Sequence, residues 1–97
     1  MPKPGITTPD LVVLSYLASR PMHGYELFQQ IRLEGIDAWF NVSMAGVYYS
    51  LGKLHEQGWV VESRQRAQRS ARKSIYHLTQ EGREAFFVAM EDHARDQ

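Results

Sequence analysis

One segment, residues 43–73, constrains the fold of this chain more than any other. It predicts a helix over residues 43–57, a glycine, and two short β-branched runs joined by a polar connection. Ser43 can cap the first turn of the helix, and Gly58 can adopt the left-handed conformation that ends it. Three apolar residues recur at helical spacing and predict a buried stripe: Val47, Leu51 and Leu54. The segment is therefore expected to form a helix with one packed face, followed by a β-hairpin.

The connection between the two predicted strands is strongly cationic. Five of the eleven Lys and Arg residues lie within ten positions, and no acidic residue occurs between Ser63 and Gln80. Cations at this density neutralise phosphates and release their counterions, which gives affinity for DNA. The alternative interpretation is a solvated loop. The cations are Arg64, Arg66, Arg69, Arg72 and Lys73.

Two further helices are predicted before this segment and one after it. Thr8, Pro9 and Asp10 suit a helix start, with a capping hydroxyl, a proline in the first turn and an acid near the positive end of the helix dipole. The second helix has an apolar face over residues 27–31, and the last one opens at Thr79. This order predicts a single winged helix-turn-helix domain, mainly α with a small β-hairpin (α-α-α-β-β-α).

Composition sets further limits on the class of protein. The 97 residues carry no net charge and suit one domain with a modest core, after a flexible lead over residues 1–7. The absence of cysteine excludes disulfides, a thiol nucleophile and cysteine-ligated zinc. No run is long and apolar enough for a signal peptide or a membrane span, so a cytoplasmic protein is expected.

The sequence offers no enzyme motif. His55-Glu56 begins a zinc-protease pattern but lacks its second histidine, and no phosphate-binding loop occurs. The four histidines are scattered over different predicted elements: His23, His55, His77 and His93. We therefore expect neither an enzyme nor a bound metal or cofactor.

Several short pieces of the sequence form a recognisable set when they are taken in order and with their spacing. They are Leu14–Leu17, His23–Leu27, Ser43 with Val47 and Tyr48, Leu51 with Leu54, Glu56–Gly58, and Tyr76–Gly82. This set resembles the PadR family of bacterial transcriptional regulators over residues 10–90. The resemblance implies a winged-helix homodimer that binds operator DNA, usually as a repressor, and dimerises through its C-terminal helical part.

Half of the predicted DNA contacts lie on the helix 43–57, which would enter the major groove while the hairpin contacts the backbone or minor groove. Tyr48 is expected either to contact DNA or to pack its ring on the hairpin, and Lys53 is expected to contact a phosphate. Tyr25 is expected either at a phosphate or at the rim of the core. Besides the hairpin cations, the candidates are Tyr25, Ser43, Met44, Ala45, Tyr48, Tyr49 and Lys53.

The first and last helices carry more apolar surface than a monomer of this size can cover. We expect residues 79–97 to form a dimerisation helix. The candidate interface residues are Leu11, Val12, Tyr16, Phe86, Phe87 and Met90.

Two alternatives remain open from the residues. The chain could be a winged-helix module that docks a partner protein without binding DNA. Trp39 and Trp59 could also form a pocket for a small aromatic effector, since some PadR-like proteins sense planar aromatic compounds at the dimer interface. Packing in the core or its rim is the favoured interpretation, because Trp59 follows Gly58 where an apolar residue must anchor the hairpin.

Overall fold

The computed structural model describes residues 6–34, 43–64 and 74–95, with the backbone alone at 64 and 93–95. Four helices and three strands follow one another: α1 (Thr8–Ser19), β1 (Met22–His23), α2 (Gly24–Leu33), α3 (Met44–Glu56), β2 (Val60–Arg64), β3 (Ser74–Leu78) and α4 (Gln80–Arg95). The predicted fold class, a mainly helical winged helix, is confirmed. No helix in these described ranges is long and apolar enough to cross a membrane.

The start of α1 lies one residue earlier than predicted. Thr7, not Thr8, is the capping residue: its hydroxyl accepts the Asp10 backbone N–H at 3.3 Å, and the Asp10 carboxylate accepts the Thr7 N–H at 3.1 Å. This reciprocal pair is a capping box, which satisfies two backbone donors of the first turn at once. Thr7 therefore belongs to the folded domain, while residues 1–5 of the predicted lead lie outside the described residues.

The sheet has three strands where the sequence predicted two. β3 lies in the middle of the antiparallel order β1-β3-β2, with Met22 opposite Tyr76 and Arg64 opposite Ser74. β1 was not predicted, because two residues are too few to show the alternation that marks a strand. β1 runs directly into α2, so its pairing brings the beginning of α2 to the hairpin.

α3 lies at the centre of the core. The predicted stripe of Val47, Leu51 and Leu54 is buried, at 4 % exposure or less. The other buried apolar residues come from all the neighbouring elements: Val13, Leu14, Leu17, Met22, Leu27, Ile31 and Val60. Because helices on two sides and the sheet enclose this stripe, the rotation of α3 about its axis is determined, and with it the set of side chains that face outward.

A compact corner joins the end of α3 to the start of α4. Gly58 has a φ of +80°, so the predicted helix stop is confirmed. The predicted cap Thr79 is also confirmed: its hydroxyl accepts the Gly82 N–H at 2.9 Å and donates to the Gly58 carbonyl at 2.7 Å. The Thr79 N–H donates to the Trp59 carbonyl at 3.0 Å. These bonds place α4 against the residues that follow α3.

Candidate nucleic-acid interface

The first two turns of α3 present their outer side to solvent. The Ser43 hydroxyl accepts the Gly46 N–H at 3.0 Å, which confirms the predicted cap. Ala45 is exposed, Tyr48 and Tyr49 are 45 % and 69 % exposed, and Met44 is half-buried. These candidates share one surface at the N-terminal end of α3, opposite the buried stripe.

Tyr48 packs against the start of α2. A methyl group added at Gly24 would lie 2.6 Å from both Cζ and Oη of Tyr48, so the ring rests directly on the glycine backbone. Burial and the electrostatic effects of Glu62 and Tyr48 raise the pKa of Tyr76. Through its contact with Gly24, Tyr48 joins the outer side of α3 to the start of α2.

Residues around this junction are connected by further polar contacts. The Ser74 hydroxyl donates to the Glu62 carboxylate at 2.6 Å, and His23 Nδ1 lies 3.0 Å from the Ser74 carbonyl oxygen. Tyr25, in the first turn of α2, is exposed, and its ring centroid is 6.3 Å from that of Phe28. Tyr25 therefore lies beside Phe28 with an accessible surface, as a residue at the rim of the core does, and its phosphate contact stays a prediction.

Lys53 has a partner inside the protein. Its ammonium group lies 2.7 Å from Oδ2 of Asp10 and 5.4 Å from the centre of the Tyr49 ring, and its side chain is 33 % exposed. The phosphate contact expected of Lys53 stays a prediction. Ser50, one turn closer to the start of α3, is buried. The Lys53 charge thus has an intramolecular partner in the described residues.

Asp10 has two roles in this region. It is 2 % exposed, and Thr7-x-x-Asp10 matches a capping box, so its role at the start of α1 could be predicted from the sequence. Its ion pair with Lys53 of α3 could not be predicted. Burial alone would raise the pKa of the Asp10 carboxyl, but interactions with Lys53, Ser50 and Thr7 outweigh burial and hold that pKa below its usual value. The carboxylate therefore stays ionised at neutral pH.

Arg64 is the one hairpin cation whose backbone lies within the described residues. Arg64 ends β2 opposite Ser74, the first residue of β3, so both strands are paired up to this point. The His23 contact to Ser74 shows that this end of the sheet adjoins the start of α2, on which Tyr48 rests. Four predicted DNA contacts lie outside the described residues: Arg66, Arg69, Arg72 and Lys73.

The candidate dimer residues differ in exposure. Leu11 is half-buried, and Val12, Tyr16 and Phe86 are partly buried, the last three packed against the core, whereas Phe87 is 60 % exposed and Met90 is also exposed. The Tyr16 hydroxyl donates to the Glu34 carboxylate; burial and this partner raise the pKa of Tyr16 to about 12. The outermost apolar surface of α4 is therefore formed by Phe87 and Met90, together with Val88, which the sequence analysis did not select.

Of the two tryptophans considered for an effector pocket, Trp59 is half-buried and packs against the core, which agrees with the favoured interpretation. Trp39 lies outside the described residues.

Comparison with solved structures shows the same fold in regulators of low sequence identity. A transcriptional regulator from Clostridium thermocellum superposes with a TM-score of 0.77 at 22% identity, over 91% of this chain and 82% of that chain. A PadR family regulator from Clostridium difficile gives 0.75 at 21% identity, over 89% and 86%. PadR from Bacillus subtilis in complex with operator DNA gives 0.76 at 18% identity, over 87% of this chain and 48% of that chain.

Comparison with individual proteins and comparison with family models gave different results. No curated protein is similar enough in sequence to count as a match. The model of the PadR-like transcriptional regulators, in contrast, matches residues 13–87, which include α1 from residue 13 onward, α2, α3, the sheet and the first half of α4. The chain therefore belongs to the PadR-like family of transcriptional regulators.

Proposed function

We propose that this regulator binds operator DNA as a homodimer and represses transcription, with α3 in the major groove and the hairpin cations on the phosphate backbone or in the minor groove. The observation that carries the proposal is the accessible outer side of α3, where Ala45, Tyr48 and Tyr49 face solvent. The major groove admits an α-helix and displays a distinct pattern of hydrogen-bonding groups for each base pair. The similar fold of Bacillus subtilis PadR, solved in complex with operator DNA, supports this choice.

The proposal divides the interface into two parts. Side chains on the outer side of α3 would read base edges, whereas the cations would contact phosphates, which give affinity without sequence information. Tyr25 would contribute from the start of α2, since it is exposed beside the same surface. The α3 set is Ser43, Met44, Ala45, Tyr48 and Tyr49, and the hairpin set is Arg64, Arg66, Arg69, Arg72 and Lys73.

The direct test is a mobility shift with purified protein and DNA from upstream of its own gene, followed by footprinting of the complex. We expect protection of two half-sites separated by about one helical turn, 10 to 10.5 base pairs. A single half-site bound as tightly as the pair would contradict the dimeric arrangement. Complete absence of a complex with any fragment at low salt would favour a module that binds protein.

Tyr49→Ala should reduce the preference for operator over random DNA. Tyr49 is the most exposed aromatic side chain on the outer side of α3, so its loss should cost about 1–3 kcal/mol of discrimination if it contacts a base edge. Competition binding with both DNAs at one salt concentration measures this quantity. His55→Ala, an exposed change in the last turn of the same helix, is the matched control and should leave the preference unchanged. An unchanged preference in both variants would mean that Tyr49 does not contact a base edge.

Phe87→Ala should weaken the dimer by at least about tenfold. Burying a phenylalanine side chain is worth about 1.5–3 kcal/mol, and Phe87 is the most exposed apolar residue described on α4. Light scattering across a dilution series should give twice the 11.2 kDa chain mass for the wild type at micromolar concentration and a shift toward the monomer for the variant. Val61→Ala, on the exposed side of β2, is the control. A folded wild type that scatters as a monomer throughout would exclude the homodimer.

A further inference from the structure

A buried carboxylate joins the first turn of α1 to the third turn of α3. Oδ2 of Asp10 accepts the Thr7 N–H at 3.1 Å and faces the Lys53 ammonium at 2.7 Å. A charged group buried in this way is tolerated only when it is paired and hydrogen-bonded. The buried Asp10 carboxylate therefore requires the Lys53 ammonium as its partner. The pair connects the buried start of α1 to the outer side of α3.

Lys53 also contacts Tyr49 on the exposed outer side of α3. Lys53 follows Tyr49 by one helical turn, the spacing at which side chains on a helix are neighbours. Its ammonium lies 5.4 Å from the centre of the Tyr49 ring, within the range of a cation–π interaction. One cation is thus shared between a side chain that is 2 % exposed and one that is 69 % exposed.

We propose that Asp10 and Lys53 are positioning residues for DNA recognition: Asp10 fixes the Lys53 ammonium, and Lys53 holds the Tyr49 ring in the orientation in which it meets the major groove. Neither residue contacts DNA in this scheme. This inference rests on the proposed function. It means that Asp10, a buried residue of α1, affects the preference for operator DNA without contacting it.

A phosphate contact by Lys53 makes a different prediction. Removing a phosphate contact lowers the slope of log K against log salt by about 0.9 and weakens all DNA sequences alike. Removing a positioning residue leaves that slope unchanged and lowers the ratio of operator to random DNA affinity. The two roles are therefore separated by measuring both quantities on the same variant.

The test uses Lys53→Met, which removes the charge but keeps most of the apolar stem, and Asp10→Asn, which removes the carboxylate charge. Each should lower the operator-to-random affinity ratio roughly tenfold and leave the salt slope as in the wild type. The two changes combined should lower the ratio no further than either alone, because both break one unit. His55→Ala serves as the control for a change on α3 outside this unit.

A second variant guards against loss of folding. Asp10→Leu combined with Lys53→Met replaces the pair by apolar side chains, an exchange that often preserves stability, and the Thr7 hydroxyl can still cap α1. This variant lacks the cation beside Tyr49 and should bind DNA with the reduced ratio. A wild-type ratio in the folded variant, or a slope lowered by about 0.9 with an unchanged ratio in Lys53→Met, overturns the positioning role. A wild type that binds no DNA overturns the proposed function itself, which is a distinct result.

Discussion

A quadruple variant, in which alanine replaces the four cations between β2 and β3, should bind DNA about 1000-fold more weakly than the wild type at 0.15 M salt. Each lost phosphate contact lowers the slope of log K against log salt by about 0.9, so four contacts lower it by about 3.6. Operator and random DNA should weaken alike, because phosphates carry no sequence information. The replaced residues are Arg66, Arg69, Arg72 and Lys73.

Fluorescence anisotropy titrations at several salt concentrations give both the affinity and the slope. The matched control replaces Gln65 and Gln68, uncharged residues of the same connection, with alanine and should leave both quantities unchanged. If the quadruple variant kept the wild-type slope of log K against log salt, the cations would not contact phosphates and would belong to a solvated loop. If it instead changed the operator preference while Tyr49→Ala did not, the hairpin would read bases and α3 would only anchor the protein.

Gly82→Ala should destabilise the folded domain by about 3 kcal/mol or more, although alanine is the better helix former. A methyl group at this position would lie 2.0 Å from the carbonyl oxygen of Trp59 and 2.8 Å from its carbonyl carbon. Both atoms belong to the backbone, so the clash can be relieved only by moving α4 away from the corner at Thr79, and overpacking of this kind outweighs a helix-propensity gain of about 1 kcal/mol. Urea denaturation measures the free energy of unfolding.

Gly52→Ala is the control for this prediction. Gly52 lies in the middle of α3, is exposed, and has no atom within 4 Å of an added methyl group among the described residues. Alanine should therefore stabilise the domain by about 0.5–1 kcal/mol, because it restricts the unfolded chain without meeting a neighbour. Equal effects of the two substitutions would mean that α4 does not pack against Trp59 as the structure describes.

Local signals in the sequence were sufficient to predict the four helices and the two strands of the hairpin. The Ser43 hydroxyl and the freedom of Gly58 to adopt positive φ mark the two ends of α3, and the spacing of Val47, Leu51 and Leu54 identifies its buried side. Each of these depends on residues within a few positions of one another, where backbone hydrogen bonding and helical periodicity act directly. The element order then leads to the winged helix class.

The tertiary structure alone decided which side chains meet. β1 exists because two residues pair with β3, and the His23 to Ser74 contact joins positions 51 residues apart. The ion pair between Lys53 and Asp10 joins positions 43 residues apart, so no local pattern in the sequence predicts it. It forms because the core determines the rotation of α3 and brings its third turn over the α1 start, where a buried carboxylate requires a cation.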